Sequence, residues 1–190
     1  MLCAAIGGWH DARRAPPLIC EGDEHMAGYD PELWHDFAIA LVGAAGALCG
    51  LAFVAISFNL EAILKERWLP GRAGETVVFL AAALIGGLLL LLPPQSRGNF
   101  GTVLLVFAVL LAVVVLRMDI PRFLAQRADP VAWQVTHVVP SIASIGLLLV
   151  GSIGVLSQSI GGLYWFTAGL IVLVIAGLSN CWVLLVEIKR

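Results

Sequence analysis

Five long apolar runs, none containing Asp, Glu, Lys or Arg, constrain this chain more than any other feature. They occupy residues 37–60, 76–92, 100–116, 131–156 and 163–186. A helix needs about 20 largely apolar residues to cross a hydrocarbon core of roughly 30 Å. The two shortest runs reach that length with their flanking residues. The expected fold is all-α, an integral membrane bundle of five transmembrane helices.

Composition agrees. The chain is 60 % hydrophobic and 13 % charged, against about 25 % charged in an ordinary soluble domain. It could not cover itself with polar surface in water. Its longest polar stretch is residues 1–36. The expected organisation is an N-terminal extension over 1–29 and one membrane domain over 30–190. The lipid bilayer is the first partner, and no basic patch suited to nucleic acid is visible. Cys49 and Cys181 lie inside runs, where a thiol acts as a small apolar group. Cys3 and Cys20 lie upstream, and no pair has metal-ligand spacing.

The basic residues alternate from loop to loop. Lys65, Arg67 and Arg72 follow the first run; Arg97 alone follows the second; Arg117, Arg122 and Arg127 follow the third; the fourth loop has none; Lys189 and Arg190 end the chain. Cytoplasmic loops are enriched in Lys and Arg. Threading with the N-terminus outside and the C-terminus in the cytoplasm of a plasma (inner) membrane puts eight basic residues inside and one outside, or three outside with Arg13 and Arg14. Trp34, Trp68, Trp133 and Trp165 fall at or just beyond run ends, where amphipathic rings settle at the headgroup level.

Residues 1–25 differ in character. Arg13 and Arg14 follow the short apolar stretch instead of preceding it, the wrong order for a secretory signal. The simpler expectation is that Met26 is the true start. Asp30–Pro31 then reads as a helix start, a side-chain cap followed by proline at the first helical position. The first helix is expected to run from Pro31 to about Trp68 and to be ended by Pro70–Gly71.

Gly46 and Gly50 form a small-xxx-small pair that permits close helix approach. Gly86–Gly87, Gly146, Gly151 and Gly154 offer similar flat faces. Packing within the bundle is the plainer use of these residues, and a homo-oligomer the sharper one. Pro140, inside the fourth run, should kink its helix and leave the Thr136 carbonyl without a donor. Such a carbonyl needs another partner in a membrane.

Threading also compares depths. Ser57 and Asn59, then Gln134, Thr136 and His137, then Asn180 all fall in the cytoplasmic half. His137 is the one ionisable group at appreciable depth within the runs, and such groups are functional candidates. The plainer reading makes Asn59, His137 and Asn180 interhelical hydrogen-bond glue, worth about 0.6 kcal/mol each. The sharper one makes Ser57, Asn59, His137 and Asn180 the lining of a small ligand pocket. Glu32, His35 and Asp36 have a helical spacing that could hold a metal, but helix-start chemistry already accounts for both carboxylates. No catalytic motif, cofactor site or metal site is assigned.

The stretch from Trp34–His35–Asp36–Phe37 through Gly50–Leu51–Ala52–Phe53–Val54–Ala55–Ile56–Ser57–Phe58–Asn59–Leu60 to Leu69–Pro70–Gly71–Arg72–Ala73 resembles a family of small multi-pass membrane proteins of actinobacteria and related bacteria. Some members carry the label modulator of FtsH protease. The resemblance covers this stretch well and the remainder only by hydrophobic pattern. It implies no activity, and it adds Pro70 and Arg72 to the residues of interest beside Ser57 and Asn59. The expected function is non-enzymatic, exerted by helix packing against a second copy or a membrane protein partner. A small pore or ligand carrier with a cytoplasm-facing polar pocket is the alternative.

Overall fold

The computed structural model describes residues 31–65, 69–93, 96–125, 131–158 and 161–188. A 3-10 turn over Pro31–Trp34 leads into α1 (His35–Phe58) and the short α2 (Leu60–Lys65). There follow α3 (Leu69–Leu90), α4 (Arg97–Ala125), α5 (Val131–Ser157) and α6 (Gly162–Ile188). No strand occurs among the described residues. All but α2 are long and apolar enough to cross a membrane, so the protein is an all-α bundle of five spans. The extension over 1–29, the start at Met26 and the Asp30 cap lie outside the described residues.

Helix order in the bundle differs from order in the chain. α3 packs against both α1 and α6, α6 against α5, and α5 against α4. Lipid is as apolar as a leucine side chain, so close packing has to hold helices together in a membrane. Small residues supply it here. A Cβ added at Gly177 on α6 would lie 2.9 Å from the Leu80 side chain on α3, and one at Gly87 on α3 would lie 2.8 Å from Val42 on α1. Gly151 on α5 abuts the backbone of Phe166 on α6. The seam between α1 and α3 is lined from the α1 side by Ala38, Ala45 and Ala52, which are buried at a spacing of two helical turns. Phe79, Leu104, Leu148, Phe166 and Leu170 fill the centre.

Two boundaries differ from the sequence expectation. The first helix does not run on to Trp68; it stops at Phe58. The Asn59 Nδ2 donates to the Ala55 carbonyl at 2.8 Å, and its backbone N–H donates to the Ile56 carbonyl at 3.2 Å. These bonds tie off the last turn, and a new helix starts when the Ile63 N–H donates to the Asn59 carbonyl. Ile63 then packs with Leu69 and Ala73 in a small apolar cluster of its own. The second correction is larger. Pro70–Gly71 does not mark a helix end; it lies in the first turn of α3, where proline's missing N–H costs nothing. The second span therefore includes Arg72 and Glu75, both assigned by the charge count to a loop. The third helix likewise continues past residue 116 through Arg117 and Asp119.

Candidate functional site

The polar residues that matter most lie along the seam between α3 and α6. Gly86 of α3 sits against Leu170 of α6, and Leu80 sits against Gly177. The helices are thus antiparallel at a fixed register. One further turn along the seam brings Asn180 level with Thr76. Leu170, Leu173, Gly177 and Asn180 form one i, i+3, i+4 stripe, and all four are buried. Thr76 is fully buried and Asn180 is 5 % exposed. The Thr76 hydroxyl donates to the Arg72 carbonyl at 3.0 Å, which leaves its oxygen able to accept. The Asn180 amide finds no hydrogen-bond partner among the described residues. Buried polar groups are satisfied in the great majority of cases, so an orphan of this kind needs an explanation.

Arg72 and Glu75, 8 % and 3 % exposed, extend the same end of the α3 stripe. Each is engaged with a partner. α4 reaches the same depth: a Cβ at Gly74 would lie 3.5 Å from the Met118 methyl group. Asp119, half-buried and also engaged, follows directly. Sequence reasoning missed the two α3 charges because they adjoin Pro70–Gly71 and were read with the loop. The available signal was spacing: 72, 75 and 76 continue the period of the buried 79, 80 and 83.

α5 packs along α6. Gly151 lies against Phe166, and a Cβ added at Gly169 would lie 2.9 Å from the Leu148 side chain. α5 runs through Pro140. Proline has no N–H to give the carbonyl one turn back. Ser144, buried on the same helix, donates to the Ser141 carbonyl. The side chains of Gln134, Thr136 and His137 lie outside the described residues.

The remaining sequence candidates sit elsewhere. Ser57 is exposed, and its hydroxyl donates to the Phe53 carbonyl at 2.8 Å. Asn59 binds its own helix in the same way. Both belong to α1, on the other side of α3 from α6, so the structure does not bring them to Asn180. Gly46 makes an ordinary contact, 3.8 Å from its added Cβ to Leu84, whereas Gly50 is exposed and meets nothing within 4 Å. His35 and Asp36 are exposed at the opposite end of the bundle. There Trp34 packs edge-on against Tyr164 at 4.9 Å.

No protein-family model, curated protein or solved structure matches this chain. The chemistry of the site has to be read from its residues. A buried hydroxyl, a buried primary amide and the buried Arg72 and Glu75 make this end of the α3–α6 seam polar.

Proposed function

We propose that this protein is a plasma-membrane protein threaded with its N-terminus outside and its C-terminus in the cytoplasm. It works without catalysis, by holding a small hydrophilic guest in the polar seam at the cytoplasmic end of α3 and α6. The threading rests on the distribution of Lys and Arg. The observation that carries the binding role is Asn180, buried in a membrane helix opposite Thr76 with no hydrogen-bond partner among the described residues. A purely structural asparagine in a membrane bundle serves as glue and bonds a neighbouring helix.

Single cysteines at positions 76 and 180, in a background lacking Cys3, Cys20, Cys49 and Cys181, test both parts. A small charged thiol reagent should label them from the cytoplasmic side, and a cysteine at position 35 from the outside only. Failure of positions 76 and 180 to label from either side would refute the binding role. The opposite pattern at position 35 would refute the threading.

Packing against a second copy or a membrane partner is a second reading, favoured by α1. That helix leaves Gly43, Ala44, Ala47 and Gly50 exposed along one side, and a Cβ at either glycine would meet nothing within 4 Å. Disulfide trapping between copies at positions 43 and 50, absent at the buried position 45, would support it over the guest-binding role.

A further inference from the structure

The lipid-facing surface has a polar boundary at each end, and two helices mark the same pair of boundaries. On α4, Asn99 and Arg117 are exposed, and the exposed large side chains between them, from Val106 to Leu116, are all apolar. Thr102, also exposed there, gives its hydroxyl to the Gly98 carbonyl at 2.7 Å. On α6, Tyr164 and Trp165 stand exposed at one end and Trp182 at the other, with Ile171, Ile175 and Leu178 exposed between. Amphipathic rings settle at the headgroup level, and an amide or a guanidinium is costly in hydrocarbon. Each interval, 99 to 117 and 164 to 182, advances 18 residues, or about 27 Å along a helix.

Packing places the two intervals side by side. A Cβ at Gly74 would lie 3.5 Å from the Met118 side chain, and one at Gly86 would lie 3.4 Å from the Phe107 ring. α4 therefore runs antiparallel to α3, as α6 does, and parallel to α6. Gly86 meets Phe107 and Leu170 together, which puts those two residues at one depth. Counted from that level, Asn99 and Tyr164 agree to two residues, and so do Arg117 and Trp182, about 3 Å along the axis. Arg72 and Glu75 of α3 lie at the Trp182 end of the same seam, so the charges of α3 begin where the apolar surfaces of α4 and α6 stop.

We propose that the bundle is matched to a thin bilayer, with a hydrocarbon core of about 27 Å or less, and so favours lipids with short acyl chains. A core of roughly 30 Å is usual. An average tilt of about 20° would shorten the band further, to about 25 Å. α1 is longer, with an exposed apolar face that continues to Phe58, and a long span accommodates a thin layer by tilting. The match is a property of the two boundaries and holds for either threading of the chain.

The test is competition between lipids at the protein surface. The full chain is reconstituted in phosphatidylcholine vesicles in which a brominated lipid competes with its unbrominated counterpart of another length. Monounsaturated chains run from about 14 to 22 carbons in steps of two. Chains of about 18 carbons give a core near the usual thickness, and removing two carbons from each thins it by a few ångströms. Quenching of tryptophan fluorescence gives the relative affinity at each length. Binding should be tightest at about 16 carbons or fewer and severalfold weaker at the longest chains.

Arg117→Leu/Trp182→Leu removes both markers of one boundary while Trp34 and Trp165 still report. In that variant the tightest binding should move to longer chains. Should it fail to fold, Asn99→Leu, at the exposed opposite boundary, should move the preference the same way. Tightest binding of the wild type at about 18 carbons or more, or equal binding at every length, would overturn the proposal. A folded variant that keeps the wild-type profile would overturn it as well.

Discussion

Gly151→Ala is the sharpest single test of how this bundle is held together. The added methyl carbon would stand 2.7 Å from the Phe166 Cα and 2.8 Å from its Cβ, with the Phe166 backbone nitrogen closer still. Ordinary contact begins at 3.4 Å, so the shortfall is at least 0.6 Å against main-chain atoms. No side chain can rotate away to relieve it. α5 and α6 have to separate, and overpacking of this kind costs about 1–3 kcal/mol. Helix propensity works the other way, since alanine is favoured over glycine by about 1 kcal/mol. Gly146→Ala isolates that second effect. It lies on the same helix with nothing within 4 Å of its added Cβ, so it should be neutral or stabilising. The two variants should therefore differ by about 1–3 kcal/mol. Denaturation by SDS in mixed micelles, followed by tryptophan fluorescence, reads the difference. Equal midpoints for the two variants would mean that α5 and α6 do not meet backbone to backbone.

The charged layer can be tested by a double-mutant cycle. Removing one member of a buried charge set leaves another uncompensated, so Arg72→Met should destabilise by about 3–5 kcal/mol. The double replacement Arg72→Met/Glu75→Gln should cost less than the sum of the singles, and strict additivity would show that the two charges do not offset one another. On α1, Ala45→Leu forces a larger side chain into the fully buried seam with α3 and should cost about 1–3 kcal/mol. Ala44→Leu, one residue along and exposed, should change the SDS midpoint little.

The spans were legible because hydrophobic length is a strong signal, but boundaries set by charge were less so. Pro70 illustrates why. As a sequence signal, Pro–Gly punctuates helices without saying on which side of it the helix lies. Only the packing of Leu69 and Ala73 on Ile63 shows that this proline opens a helix. Arg72 and Glu75 followed it into the wrong segment. Asn59 was noticed for its polarity, but its action is local: its amide ties off the Ala55 carbonyl and splits what reads as one helix into two. Asn180 was visible as a polar residue in a long apolar run. That it lies level with Thr76 could not be read, because this depends on the seam register fixed by Gly86 and Gly177. The placement of α3 at the centre is likewise a property of contacts between distant segments, which hydropathy does not encode.

That central placement has a consequence for biosynthesis. The face of α3 that carries Phe79, Leu80 and Gly86 is completed by Leu170 and Gly177 of α6. Spans leave the ribosome in order, so this face of the second must wait in the bilayer while the third and fourth are made. A chain interrupted before the fifth span would present the face of Leu80 and Gly86 to lipid. Such a fragment would lack the α3–α6 seam, so the fifth span completes the packing around the second.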